Sequence, residues 1–243
     1  MKFRLILDLA RPAALNMAID EMLMESQSLP GAMPALRFYS WANPAYSIGY
    51  FQSVGKITER FRSAKTGVSV VRRITGGGLV FHGQDITFSI AAKQSNPFFS
   101  GGAKDSYLQV NEAARSGLQP FYPKIDYADC KTVPSGRANE ERVCFEAPVC
   151  HDLLLDGKKI VGASQRRKND VVLYQSSIFL NGDKNNLLRH LINGFKEKWK
   201  IDLVEKPLSK TELLFAHQKE KERYASSDWA YLSEKDSLKD ARF

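Results

Sequence analysis

The stretch Val71-Arg72-Arg73-Ile74-Thr75-Gly76-Gly77-Gly78-Leu79-Val80-Phe81-His82 sets two guanidinium groups and a hydroxyl beside three consecutive glycines. Glycine permits φ > 0 and lets backbone N–H groups come close to a ligand. Arginine offers a planar fork of donors to an oxygen acceptor. The pattern predicts a cradle for an anionic or carbonyl-bearing ligand. It excludes a Walker A loop, because no Gly-Lys-Ser/Thr follows, and it lacks the G-x-G-x-x-G spacing of a dinucleotide site. Without further context, three glycines between the apolar runs at 68–71 and 79–81 also read as a plain hairpin or bulge.

The cysteines are the other candidates for chemistry. Cys130, Cys144 and Cys150 are odd in number and match no metal-ligand spacing. They predict free thiols in a reducing cytoplasm and no metal site. A thiol titrates near about 8.5 and is a weak nucleophile until its thiolate is favoured. A net charge of +8 favours an acidic partner. Basic–aromatic interleaving and DNA-reading motifs are both missing, which argues against nucleic acid. No apolar run reaches the length of a membrane span. Asp8 interrupts the short apolar N-terminus, which argues against a signal peptide and for a cytoplasmic protein.

The elements that must position these residues follow from periodicity. Phe3–Asp8 reads as a strand. Leu15, Ala18, Ile19, Met22 and Leu23 fall on one helical face. Ala35–Trp41 and Ala45–Tyr50 read as strands around an Asn43-Pro44 turn. Ile57–Lys65 reads as a short helix, and Ile86–Ala92 as a strand beyond the glycine hairpin. Ser106–Leu118 reads as a helix, and Lys131–Arg142 as a polar surface segment. Asp156-Gly157 marks a hairpin before a strand from Lys158 to Gln165. Val171–Tyr174 and Ser176–Leu180 continue the sheet, and Leu187–Trp199 is helical. Ser209-Lys210-Thr211-Glu212 is a capping box opening a last helix. The order predicts an α+β fold, a mixed and largely antiparallel sheet packed by helices. It predicts one domain over residues 1–232 with a polar tail at 233–243.

Four segments together resemble the superfamily of lipoate–protein ligases and octanoyltransferases, relatives of the biotin protein ligases. They are Asn16-Met17-Ala18-Ile19-Asp20-Glu21; Tyr46-Ser47-Ile48-Gly49-Tyr50-Phe51-Gln52; the Arg72–His82 stretch with Asp85-Ile86-Thr87-Phe88-Ser89; and Asp156-Gly157-Lys158-Lys159-Ile160-Val161-Gly162-Ala163-Ser164-Gln165-Arg166-Arg167. The resemblance implies the class II synthetase/biotin ligase-like catalytic domain. It implies an acyl pocket walled by Arg73, Gly76, Gly77, Gly78, Leu79, Val80, Phe81, His82, Gly162 and Ala163, with Val161 adding apolar surface. It also implies that Lys159 reaches the acyl carbonyl.

The superfamily holds two chemistries. Ligases activate a free acid with ATP and Mg; cysteine-type transferases need no cofactor, because a thioester donor is already activated. Val143-Cys144-Phe145-Glu146-Ala147-Pro148 resembles the nucleophile segment of the transferases. Cys144 is then the nucleophile, Lys159 its electrostatic partner, and His82 and His151 lesser candidates for proton transfer. Cys150 reads as structural. Gly78 stands where these transferases often have arginine, Ser176 where many members have histidine, and Cys150-His151 where an aromatic pair is common. The resemblance implies octanoyl-acyl carrier protein as donor. It implies lipoyl domains of 2-oxoacid dehydrogenases, or the glycine cleavage H protein, as acceptor. An ATP-dependent lipoate–protein ligase and a lipoyl amidotransferase remain alternatives. The basic residues Arg72, Arg73, Lys158, Arg166, Arg167 and Lys168 are expected to steer acidic partners to the site.

Overall fold

The computed structural model describes residues 1–53, 68–133 and 144–230. Chain order is β1 (Lys2–Arg11), α1 (Ala13–Ser26), β2 (Ala35–Trp41), β3 (Ala45–Ile48), β4 (Ser69–Arg72), β5 (Val80–His82), β6 (Ile86–Lys93), α2 (Ala103–Leu118) and β7 (Ile125–Tyr127). It continues with β8 (Leu153–Leu155), β9 (Lys158–Lys159), β10 (Val161–Lys168), β11 (Val171–Ile178), α3 (Lys184–Trp199), β12 (Asp202–Glu205), α4 (Lys210–Lys219), a π turn (Glu220–Tyr224) and α5 (Ser227–Ala230).

Six strands form the central sheet in the order β10-β11-β6-β2-β1-β12. β1 runs parallel to both β2 and β12, and the other pairs are antiparallel. Alternation sends Phe3, Leu36, Phe38, Phe88 and Ile90 to one face, where α2 and α3 cover them with Val110, Leu191, Phe195 and Trp199. Those helices approach closely because glycines meet: a Cβ on Gly117 would lie 2.1 Å from the His190 carbonyl oxygen. The opposite face carries Ile6, Ala35 and Ala91 against Leu15, Ile19 and Leu23 of α1. The mixed, largely antiparallel α+β architecture expected from the sequence is the one observed.

Local signals held where short-range chemistry dictates them. Asp156 (φ 49) and Gly157 (φ 76) both take left-handed backbone between β8 and β9, as a two-residue hairpin of this hand requires. The Ser209 hydroxyl accepts from the Glu212 N–H, and the Glu212 carboxylate accepts from the Ser209 N–H, completing the capping box. The expected face of α1 is buried, but so are Asn16, Asp20 and Glu21 on its other sides.

Long-range pairing corrects four expectations. The glycine segment is not a hairpin: β4 and β5 do not pair with each other but flank β3, parallel and antiparallel respectively. β2 and β3 do not pair across Asn43-Pro44 either, since β2 belongs to the central sheet. The strand from Lys158 breaks at Ile160, so that β9 pairs with β8 while β10 joins β11. Val171–Ile178 is one continuous buried strand. The Ile57–Lys65 helix, most of the Lys131–Arg142 segment and the C-terminal tail lie outside the described residues. Among the described residues, no helix is long and apolar enough to cross a membrane.

The expectation of three free thiols is also overturned. Cys130 and Cys150 are joined in a disulfide, and Cys144 is the free cysteine. Sequence separation of 20 residues hid that proximity, which the turn-to-turn hydrogen bonds around β7 and β8 create.

Candidate active site

A cleft opens between the small β4-β3-β5 sheet and the β10 end of the central sheet. Its walls include Met17, Trp41, Arg73, Val80, His82, Cys144, Gly162, Ala163 and Gln175. The enclosed space is about 20 Å³, and about 330 Å³ when measured out to the open mouth.

One wall is a saturated polar network. Arg73 is buried, and its Nη1 donates to the Ser47 carbonyl (2.9 Å) and hydroxyl (3.1 Å). Its Nη2 donates to the carbonyls of Gly76 and Gly78, each at 2.7 Å. Burial lowers this guanidinium to about 10, with the nearby Cys144 sulfur acting in the opposite sense. Ser47 lies 2.7 Å from His82 Nε2, and His82 Nδ1 lies 2.7 Å from Asp85. An ionised carboxylate can only accept, so Nδ1 carries the proton and Nε2 accepts from Ser47. Burial pushes His82 below the ordinary histidine value, against the pull of Asp85. Burial alone would raise Asp85, but hydrogen bonds from His82, Thr87 and the Gly83 N–H hold it at about 2. The His82 ring also stacks on Trp41 at 3.9 Å.

A second network lies beneath. Asp20, fully buried, accepts from Arg37 (2.7 Å), Ser89 (2.7 Å), Tyr39 (3.0 Å) and Gln175 (2.7 Å). Gln175 in turn accepts from Thr75, which accepts from Ser164 on β10. The polar face of α1 is thus held inside because every charge on it is paired.

The opposite side of the cleft carries the thiol. The Cys144 N–H donates to the Leu79 carbonyl at 2.9 Å, fixing the turn against the end of the glycine segment. Lys159 Nζ stands 3.9 Å from Cys144 Sγ and 2.7 Å from the carboxylate of Asp152. Lys159 and Asp152 side chains are 4% and 0% exposed. Asp152 also accepts from the Val149 N–H at 2.6 Å and from the Tyr107 hydroxyl. Burial first, and Asp152 second, push the Tyr107 phenol well above its usual range. Tyr174 is displaced in the same direction for the same reasons, and its buried hydroxyl has no hydrogen-bond partner among the described residues. Gly162 makes room for the sulfur, since a Cβ there would fall 2.8 Å from Cys144 Sγ.

The structure brings Cys144, Lys159, Arg73, Val80, His82, Gly162 and Ala163 around one cleft. Gly76 and Gly78 turn their carbonyls to Arg73, which takes up this guanidinium inside the wall. Gly77 (φ 85) packs on Gly49, where a Cβ would meet the Gly77 carbonyl oxygen at 2.0 Å. Leu79 and Val161 are buried behind the wall. Phe81 departs from the expected slot: strand alternation between Val80 and His82 turns it outward, 39% exposed, against Tyr46. His151 points to Cys130. Arg72 and Arg73 are buried and leave the expected surface patch to the less buried Lys158, Arg166, Arg167 and Lys168. Arg72 instead binds the carbonyls of Tyr50, Gln52 and Trp229. Sequence reasoning missed Asp152 and Tyr107; the i,i+7 placement of Asp152 before Lys159 carries no signal until β8 and β9 fold back on each other.

The fold and the cleft define an α+β catalytic domain in which a free thiol, an ammonium and a carboxylate share one end of a binding groove. Residues 12–212 match the lipoyl protein ligase A/B catalytic domain, and the chain belongs to that family. Octanoyltransferase LipM of Moorella thermoacetica is 37% identical over 171 residues, covering 69% of this chain and 62% of that protein. Octanoyltransferase LipM of Carboxydothermus hydrogenoformans is 29% identical over 255 residues, covering 89% of this chain and 93% of that protein. The matched stretch thus falls just short of two thirds of the Moorella relative and spans nearly all of the Carboxydothermus one. The bi-partite lipoate protein ligase of Thermoplasma acidophilum shares the fold, with a TM-score of 0.73 and 21% identity over 95% of this chain and 96% of that one.

Proposed function

We propose that this protein is an octanoyltransferase that acylates a lysine of lipoyl-domain proteins through a thioester on Cys144. The observation that supports it most directly is the Cys144 sulfur on the cleft wall, 3.9 Å from the Lys159 ammonium. The named octanoyltransferase relatives support the same reaction class.

The thiolate of Cys144 attacks the carbonyl carbon of octanoyl-acyl carrier protein. A carbon–sulfur bond forms to Cys144, the donor's carbon–sulfur bond breaks, and the donor thiolate leaves and takes a proton. The neutral amine of the acceptor lysine then attacks the enzyme thioester. An amide bond forms, the Cys144–carbon bond breaks, and the amine's proton goes to the departing thiolate. Lys159 stabilises negative charge on sulfur in both steps as a fixed point charge, and Asp152 and Tyr107 keep it from swinging away. Net charge +8 and the exposed Lys158 favour acidic donor and acceptor surfaces. The enclosed space is small, so an eight-carbon chain enters by displacing flexible wall residues such as Met17. No ATP enters this route.

Intact-mass analysis after mixing with octanoyl-acyl carrier protein, without ATP, tests the proposal. One octanoyl adduct, released by hydroxylamine and lost in Cys144→Ser, is the expected result. Lipoate-dependent ATP–pyrophosphate exchange that is indifferent to Cys144→Ala would replace the transferase with the ligase.

A further inference from the structure

The reaction leaves a neighbouring group of residues unused. Cys130, Cys150 and His151 place two sulfurs and a ring nitrogen within 4.8 Å of one another. Cys130 is exposed, while Cys150 and His151 are half-buried. The two sulfurs are bonded, and the ring nitrogens of His151 lie 3.6 and 3.7 Å from Cys130 Sγ.

Two features tie this pair to the cleft. The covalent ring closed by Cys130 and Cys150 contains Cys144 itself. The turn that carries Cys150 also carries Asp152, the residue that holds Lys159 against Cys144. That turn is stitched to the Cys130 side by two hydrogen bonds, Ala128 N–H to the Asp152 carbonyl (2.8 Å) and His151 N–H to the Ala128 carbonyl (3.3 Å), and is closed on itself by Asp152 N–H to the Val149 carbonyl (3.0 Å). Asn111 Nδ2 holds the His151 carbonyl at 2.8 Å, and His151 sits at φ 68, a left-handed backbone that a non-glycine residue adopts only when its surroundings enforce it.

We infer that Cys130–Cys150 is a reversible dithiol–disulfide site that sets the placement of Asp152 and Lys159 on Cys144. It rests on the reading of Cys144 as the acyl-carrying thiol. The disulfide restricts the freedom of the chain around Cys144 and anchors the Asp152 turn. A small dithiol opens it. Its thiolate attacks the exposed Cys130 sulfur, the bond to Cys150 breaks, and Cys150 leaves as a thiolate and takes up a proton. The second thiolate of the reductant then attacks its own sulfur in the mixed disulfide and releases Cys130 beside the His151 ring, whose N–H can donate to it. Two electrons and two protons pass from the dithiol to the pair, and the dithiol becomes a disulfide. Reduction frees the Asp152 turn and weakens the hold on Lys159.

Two measurements test this. In Cys144→Ser, where Cys130 and Cys150 are the remaining thiols, peptide mapping without reductant is expected to return the Cys130–Cys150 link after treatment with oxidised glutathione, and its loss after treatment with dithiothreitol. Finding both as free thiols after oxidation, or finding stoichiometric Zn²⁺ bound to the reduced pair of the isolated protein, overturns it. In the otherwise unaltered protein, iodoacetamide labelling of the Cys144 peptide is expected to be about tenfold slower after reduction, with its pH profile moved to higher pH. Cys130→Ser is expected to label slowly under both conditions. Equal rates and profiles in the oxidised and reduced protein overturn the coupling. Labelling needs no acyl donor, so a redox dependence without an octanoyl adduct would reject the transferase reading while leaving this one intact.

Discussion

On the β3–β5 side of the cleft each polar group has a fixed partner: Arg73, Ser47, His82, Asp85 and Thr87 form one chain of hydrogen bonds, and Asp20 gathers four donors beneath it. On the Cys144 side the sulfur has, among the described residues, one long polar contact, to a lysine held by the Asp152 carboxylate. The first wall spends buried charge on rigidity. The second leaves its cysteine half-buried. In the proposed reaction Cys144 must exchange partners, whereas a wall must not, and the two sides of one groove divide those demands.

The division can be broken from either side. The largest expected effect is on the reactive side: Cys144→Ala should cut octanoyl transfer by about a thousandfold or more while leaving the thermal midpoint nearly unchanged. Retained transfer would move the nucleophile elsewhere. On the rigid side, Asp20→Ala removes one of the two carboxylates on the buried Arg37 guanidinium, leaves Ser89, Tyr39 and Gln175 without their shared acceptor, and should cost about 3–5 kcal/mol in denaturant unfolding. A loss below about 1 kcal/mol would show that water or Asp8 compensates. Lys159→Met should slow transfer by about a hundredfold in single-turnover acylation, and it should also lower stability, because the buried Asp152 carboxylate loses its cation.

Acid provides a finer probe of the rigid wall. Asp85 has a folded value of about 2 against an ordinary 3.8, so the unfolded chain binds its proton first as pH falls. The stability it contributes, about 2 kcal/mol, is fully present above the unfolded value and is lost between about pH 4 and pH 2. Asp85→Asn should flatten that part of the stability–pH curve. The smallest effect is expected at Tyr174→Phe, which removes a buried hydroxyl without a partner among the described residues and should raise stability by about 1 kcal/mol in denaturant unfolding.

Much of this was legible before any coordinates. The strand and helix order, the Asp156-Gly157 turn and the Ser209 capping box depend on residues a few positions apart, where side-chain chemistry acts directly on the local backbone. That Cys144, Lys159 and Arg73 come together at one cleft was legible through the resemblance of their segments. Asp152, Tyr107 and the Cys130–Cys150 bond were not, because each joins residues brought together only when β7, β8 and β9 stack beside α2.

The glycine segment shows the boundary between the two kinds of information. By itself the sequence determined that residues 76–78 must bend and that something must come close to them. Only the tertiary structure decided what that is. β4 and β5 are separated by β3, so the bend spans a strand instead of closing a hairpin. Its carbonyls therefore face the buried Arg73 guanidinium, which needs acceptors inside the protein, and Leu79 is left to receive the backbone N–H of Cys144.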